Sequence, residues 1–269
     1  MPFARLAAPT DPPTSQRRIQ QLIENESQPL TQQPDIIVIT GASGGIGGAL
    51  LEALLERFPT AEIAASYNHG EIGIKHPRVS WQNLDLRDEK QIETWANAFK
   101  RVDWLLNCAG FLHGDIGTPE KSIRAVEADF LLENMRVNAL PTLLLAKYFA
   151  TALKRSTAPI LATISARVGS IEDNRLGGWY SYRMSKAALN MALKTLSIEW
   201  KHSHPRGCVA ALHPGTNDTA LSKPFQANVS AENLFQPAYT AAMFVSLLTR
   251  LDPSQSGKFW AWDGTNIAW

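Results

Sequence analysis

Tyr182 and Lys186 stand four residues apart in the segment Ser181 to Lys201, where Ala187, Leu189, Ala192, Leu193, Leu196 and Ile198 mark a strong helix. Four residues is about one helical turn, so the two side chains share a face. A tyrosine hydroxyl has a reference pKa of about 10, and a nearby ammonium favours its phenolate form. The pair is therefore suited to moving a proton onto or off an oxygen atom. Tyr180 is the near competitor, but the residue four beyond it is Met184, so the register selects Tyr182. A Tyr-x-x-x-Lys pair alone is common on exposed helices. Here Ser165 also closes the apolar run Pro159 to Ser165, at the strand edge where open α/β sheets bind ligands, and its hydroxyl could hold a reacting oxygen.

A second constellation lies upstream, in Thr40-Gly41-Ala42-Ser43-Gly44-Gly45-Ile46-Gly47. It follows the compact β-branched run Ile36-Ile37-Val38-Ile39 and opens a helical pattern in which Ile46, Leu50, Leu51, Leu54 and Leu55 share a face. A phosphate can approach a backbone only where side chains are absent, and a helix N-terminus favours its charge. Gly41 suits the tight turn, Gly45 close backbone approach, and Gly47 close packing of helix on strand. Ser43 can donate to a phosphate. A glycine motif is weak evidence alone, but the strand before and the helix after are the context it requires.

The elements that must position these residues alternate strand and helix. Strands are predicted at Glu62 to Ser66, Val79 to Leu84, Asp103 to Asn107, Pro159 to Ser165, Gly207 to Leu212 and Lys258 to Trp262. Helices are predicted at Lys90 to Phe99, over one long region from Val126 to Leu153, and at Pro237 to Leu251. Parallel neighbours need crossover helices, so the alternation predicts a Rossmann-type, doubly wound α/β fold with about seven parallel strands and helices on both faces. Residues 1–34, rich in Pro, Gln and Thr, are expected to be a flexible leader with one short helix near Arg17 to Asn25. Residues 35–269 are expected to form a single domain.

Composition narrows the class. The 269 residues carry 26 Lys and Arg against 25 Asp and Glu, a net charge of +1, which makes no case for nucleic acid or an anionic membrane. Val137 to Leu153 is the nearest approach to an apolar span, but Asn138, Pro141 and Lys147 interrupt it. Cys108 and Cys208 sit in apolar runs and read as reduced, buried thiols. A cytoplasmic protein is expected, with organelle targeting by the leader left open.

With the Thr-Gly-x-x-x-Gly-x-Gly turn, Ser165 and Tyr182-x-x-x-Lys186 in order, the chain resembles the classical short-chain dehydrogenase/reductase family over about residues 35–269. The resemblance implies further roles. Asp85 with Leu86 matches the family's acidic residue beside the adenine ring, and Asn107-Cys108-Ala109-Gly110 its Asn-Ala-Gly segment. Asn138 matches the fourth catalytic residue, whose carbonyl binds a water in a proton relay. Pro214-Gly215 with Thr219 matches the loop at the nicotinamide carboxamide, and Lys186 would hold the nicotinamide ribose. The stretches Ser165 to Ile171, Gly177 to Arg183 and His213 to Thr219, with the tail Trp262-Asp263-Gly264, are similar to the C-factor-like carbonyl reductase branch.

That resemblance implies hydride transfer between a nicotinamide and a small carbonyl or alcohol, with catalytic residues Asn138, Ser165, Tyr182 and Lys186. The second strand ends Ala64-Ala65-Ser66-Tyr67-Asn68-His69, without the carboxylate that usually bonds a 2′-hydroxyl, so NADP is expected, with NAD still possible. A lid is expected at about residues 216–237, its Leu221, Phe225 and Phe235 forming an apolar substrate wall with Trp179 and Phe111. Arg167 and Arg183 could instead meet an acidic substrate. The apolar helix around Leu140 to Phe149 predicts a homodimer or homotetramer. Two rivals stand beside this reading: a cofactor-binding regulatory or signalling protein with little turnover, and a lyase, dehydratase or epimerase on the same fold, which the short segment expected after the last sheet strands disfavours.

Overall fold

The computed structural model describes residues 33–69 and 72–269, so the expected leader and its short helix fall almost entirely outside the described residues. Seven strands form one sheet: β1 (Ile36–Thr40), β2 (Glu62–Tyr67), β3 (Val79–Asn83), β4 (Trp104–Asn107), β5 (Ile160–Ile164), β6 (Cys208–His213) and β9 (Lys258–Ala261). Their order is β3-β2-β1-β4-β5-β6-β9, and every neighbouring pair is parallel. The chain runs outward from β1 to β3, then crosses back to β4. That reversal opens a crevice at the carboxyl ends of β1 and β4, the place where open α/β sheets hold ligands.

Six helices cover the sheet: α1 (Gly45–Arg57), α2 (Glu89–Ala96), α3 (Ala128–Asn138), α4 (Leu140–Lys154), α5 (Tyr180–Ser203) and α6 (Pro237–Leu248). The period-two strand pattern sorts side chains between two cores. Val38, Leu105, Leu161, Val209 and Phe259 face α2, α4 and α5 through Trp95, Phe149, Leu189 and Leu193. Ile37, Ile39, Leu106, Ala210 and Leu212 face α1 and α6 through Leu50, Leu54, Phe244 and Leu248. A strand buried on both faces must be apolar at every position, which is why β1 reads as an unbroken β-branched run.

The structure departs from expectation in four places, one being the helix expected from Pro237 to Leu251, which ends at Leu248. The helical region expected from Val126 to Leu153 is two helices, broken at Ala139 (φ −108°, ψ −56°). Pro141 causes the break: it has no N–H, and its ring opposes the Val137 carbonyl four residues back. The helix expected to reach Phe99 stops at Ala96, capped at its start by the Asp88 carboxylate, which accepts from the Lys90 and Gln91 N–H groups. A second, two-stranded sheet was not anticipated. β7 (Thr216–Asn217) pairs in parallel with β8 (Leu234–Phe235), with short 3-10 turns at Lys223–Asn228 and Ala231–Asn233 between them. Two-residue strands carry too little periodicity to be read in a sequence.

Candidate active site

The glycine turn works through what its residues lack. Gly41 has φ +68°, and a Cβ there would lie 2.8 Å from the Ala109 nitrogen. A Cβ on Gly47 would collide with the Gly41 carbonyl oxygen. One on Gly45 would reach 2.5 Å from Thr219 Cγ2, so the loop after β6 lies directly over the turn. No side chain caps α1, whose N-cap is Gly44. The first-turn N–H groups therefore have no intrahelical acceptor, and the residues that carry them line a cavity of about 980 Å³.

Gly41, Ser43, Gly45, Ile46, Gly47, Ser66, Asp85, Leu86, Ala109, Gly110, Pro214, Gly215 and Thr219 all line this one cavity, as do Ser165, Tyr182 and Lys186. Two candidates do not. The Asn107 side chain is spent internally: Oδ1 accepts from Thr40 Oγ1 (2.7 Å) and the Ala109 N–H (3.1 Å), and Nδ2 donates to Thr142 Oγ1 (2.9 Å). It holds the ends of β1 and β4 together, so that Cys108, Ala109 and Gly110 form the wall. Asn138 exchanges two bonds with the Phe111 backbone (2.7 and 2.8 Å) and donates to Ser185 Oγ (2.9 Å), tying the loop after β4 to α5. Its neighbour Val137 is the residue that lines the cavity.

Near the β2 end, Ser66, Asn68 and His69 line the cavity, without a carboxylate among them. Asp85 is present but engaged. Its carboxylate takes the Arg87 Nε (3.0 Å) and Nη2 (2.8 Å), and Arg87 also reaches Glu133 (3.0 Å). The hydrogen bonds from Arg87 hold the Asp85 carboxyl below its usual range.

At the far end Tyr182 and Lys186 are both buried, one turn apart on α5. Lys186 Nζ donates to the Ile164 carbonyl (3.0 Å) and lies 5.8 Å from the centre of the Tyr182 ring. Burial lowers the lysine from 10.5 to about 8 and pushes the Tyr182 hydroxyl above its ordinary 10. Burial is the cause of this rise, where a lowering by the lysine was expected. At neutral pH Tyr182 therefore carries its proton, as a donor to a carbonyl oxygen must.

Three positions that shape the candidate site, Asn190, Glu120 and His213, escape sequence reasoning. Asn190, one turn beyond Lys186, accepts the Ser165 hydroxyl at 2.6 Å; the i, i+4, i+8 spacing was its one signal. Glu120, buried in the loop after β4, caps the start of α5. Its carboxylate accepts from the Ser181 N–H (3.1 Å) and the Ser181 hydroxyl, and its backbone carbonyl accepts from the Trp179 N–H. Trp179, in a left-handed conformation (φ 54°), sets its ring against Tyr182 (6.2 Å) and Phe225 (5.0 Å). His213 also lines the cavity. Burial, then Arg167, brings it down to about 4, and its Nδ1 accepts the Arg167 N–H (3.2 Å), which leaves Nε2–H as a donor.

Two expectations for substrate contacts change. Arg183 is bound to the carbonyls of Gly177, Gly178 and Val168, so it pins the turn before α5. Phe235 is buried against Trp262 (4.6 Å), behind the cavity. Phe111, Trp179, Leu221 and Phe225 do line it, joined by Leu112, Ile116 and Val229.

Comparison with known proteins decides the family. A family model for short chain dehydrogenases matches residues 35–230. The chain belongs to the short-chain dehydrogenase family. It is 26% identical over 239 residues to 1-hydroxy-2-glutathionyl-2-methyl-3-butene dehydrogenase of Rhodococcus sp. (strain AD45), covering 87% of this chain and 99% of that one. It is 33% identical over 169 residues to the C-signal protein of Myxococcus xanthus, covering 62% of this chain and 93% of the relative. Among solved structures it is similar to carbonyl reductase Sniffer of D. melanogaster (TM-score 0.76, 25% identity, 87% of this chain and 99% of that one). The fold also matches an NADPH-bound carbonyl reductase from chicken fatty liver (TM-score 0.78, 24% identity, 88% of this chain and 100% of that one). Among the described residues no helix is long and apolar enough to cross a membrane, and no group of His, Cys, Asp and Glu is arranged to hold a metal ion.

Proposed function

We propose that this chain is an NADP(H)-dependent reductase of a small carbonyl compound, or the dehydrogenase of the matching alcohol. The observation that carries the reading is one cavity with two chemically distinct ends. A side-chain-free turn at a helix N-terminus lies at one end, and the buried Tyr182, Lys186 and Ser165 lie at the other.

The residues fit a dinucleotide. The pyrophosphate would lie on Gly45, Ile46 and Gly47 with Ser43, which line the cavity at the start of α1. Ser66, Asn68 and His69 would receive a 2′-phosphate, and Leu86 would border the adenine. Ala109, Gly110, Pro214, Gly215 and Thr219 would wall the nicotinamide. When bound, NADP(H) supplies or accepts the hydride. The protein's residues manage the substrate oxygen. Tyr182 gives that oxygen its proton during reduction and takes it back during oxidation. Ser165 orients the oxygen by a hydrogen bond, and Lys186 feeds charge and proton toward Tyr182 from its seat on the Ile164 carbonyl. Asn138 holds the α3–α4 junction on which a proton path to solvent would run. Phe111, Trp179, Leu221 and Phe225 favour an apolar substituent on the carbonyl. The segment 216–237 would act as a lid, with Phe225 meeting Trp179 and the His113 ring.

The protein would assemble as a homodimer or homotetramer and work in the cytoplasm. Met184, Met191 and Ile198 recur every seventh residue along the exposed side of α5, and Leu140 and Leu143 are exposed on α4. A second copy covering these faces would remove that apolar surface from water.

The test is cofactor oxidation by purified protein, with NADPH and NADH offered separately against a panel of ketones, aldehydes and quinones. Turnover with NADPH should fall by at least about a hundredfold in Tyr182→Phe, with NADPH affinity unchanged. Undiminished turnover in that variant refutes the assignment of the proton donor. NADPH binding without turnover across the panel refutes the reductase reading.

A further inference from the structure

We infer that Asn190 is a positioning residue that switches the Ser165 hydroxyl between a resting and a substrate-binding orientation. This rests on the reductase reading above and extends it to a side chain outside the cavity wall.

Tyr182, Lys186 and Asn190 occupy three successive turns of one face of α5. Through the last two, the helix grips two consecutive residues at the end of β5. Lys186 Nζ donates to the Ile164 carbonyl, and Asn190 accepts from Ser165 Oγ at 2.6 Å. Ser165 and Asn190 are 2% and 3% exposed. A serine hydroxyl has one proton. Here it is given to Asn190 Oδ1, so only lone pairs remain for the cavity. A carbonyl oxygen needs a donor, so this arrangement cannot serve it.

The other end of the same amide resolves the conflict. Asn190 Nδ2 is buried and has no hydrogen-bond partner, a state that costs stability and calls for a reason. A half-turn about the Cβ–Cγ bond exchanges Oδ1 and Nδ2. Nδ2 then donates to Ser165 Oγ, and the serine proton is released to the substrate oxygen. No bond is made or broken in this step, and no proton leaves its heavy atom. An asparagine can do this because it carries a donor and an acceptor on one planar group. Aspartate would only accept and would keep the serine proton. Leucine, of similar branching, would do neither and would leave the serine unguided.

The test compares Asn190→Leu and Asn190→Asp, each in the wild-type and the Ser165→Ala background, by kcat and KM for carbonyl reduction with NADPH and by thermal melting. In the wild-type background Asn190→Leu should lose about tenfold in kcat and Asn190→Asp about a hundredfold, with the KM for NADPH unchanged. In the Ser165→Ala background both losses should shrink to within about twofold, because the partner they act through is gone. Asn190→Leu should melt at or above wild type, since it removes an unpaired buried donor; a residue that only braces the fold would lower both melting and turnover. Wild-type turnover in Asn190→Leu, or equal losses with and without Ser165, overturns the inference while the reductase reading stands. Should Asn190→Leu fail to fold, the order of wild type above Asn190→Asp, and its collapse in Ser165→Ala, still decides. A wild-type protein inactive across the panel overturns the reductase reading, and this role falls with it.

Discussion

The two ends of the cavity solve opposite problems. The glycine turn presents backbone to an anion and succeeds by having no side chains: Gly41, Gly45 and Gly47 each sit where a Cβ would meet a neighbour. The proposed catalytic end instead buries polar side chains and holds each one. Lys186 rests on the Ile164 carbonyl, Ser165 on Asn190, and the first turn of α5 on Glu120. The first end needs only a short stretch of chain and a helix start. The second draws on β5, α5, the α3–α4 junction and the loop after β4. Its price is ionisable groups kept out of water, which stabilise a reaction at the expense of the fold.

This contrast should be largest at Lys186. Burial lowers its pKa from 10.5 to about 8, so the charged form is disfavoured in the folded state. For a base shifted downward, the penalty is fully present below pH 8, shrinks between 8 and 10.5, and vanishes above. The shift corresponds to about 3 kcal/mol at pH 7. Lys186→Met should therefore be more stable than wild type by about that amount in urea unfolding at pH 7, with the gap closing by pH 10.5, while turnover is lost. A less stable variant at pH 7 would mean that the bond to Ile164 outweighs desolvation, and the contrast between the two ends would break.

The glycine end predicts the reverse pattern. Gly45→Val puts a side chain over the turn, where its Cβ would lie 2.5 Å from Thr219 Cγ2 and 3.0 Å from Thr219 Cβ, so this short β-branched residue must shift with its loop. Affinity for NADPH should fall by at least about tenfold in a fluorescence titration, and melting should fall as the loop over the turn is displaced. A large loss of stability with affinity retained would show that the glycine serves packing alone.

The smallest effect should come from Glu120, which serves the catalytic end without lining the cavity. Glu120→Gln replaces a charged acceptor at a helix start and should cost about 1 kcal/mol. Melting should fall by a few degrees and kcat by a few-fold, while NADPH affinity holds. Unchanged kcat would mean that α5 keeps its register without this cap.

How much of this was legible in the chain follows the same division. The inner strands of the sheet are buried on both faces, so β1, β2 and β4 to β6 stand out as runs. The glycine turn is contiguous and lies between two strong elements. Tyr182 and Lys186 are tied by helical spacing alone. In each case the physical constraint acts over fewer than about ten residues. The long helix was misread because one proline weighs little against 28 residues of favourable pattern, yet it removes a backbone donor and breaks the helix at Ala139. Arg183 was considered for an acidic substrate and Phe235 for the apolar wall, both on residue type. In the structure the first is spent on three carbonyls and the second lies behind Trp262.

The sequence by itself determined the alternating α/β plan, the anion-ready turn and the spacing of the tyrosine and lysine, because backbone periodicity and the absence of Cβ atoms are local properties. Only the tertiary structure decided the protonation of Tyr182, the inward use of Asn107, and the partnerships of Ser165 with Asn190 and Ser181 with Glu120. Those depend on burial and on contacts between residues 25 and 61 positions apart. Solvation and hydrogen-bond partners are set by what packs around a group, and no local pattern carries that.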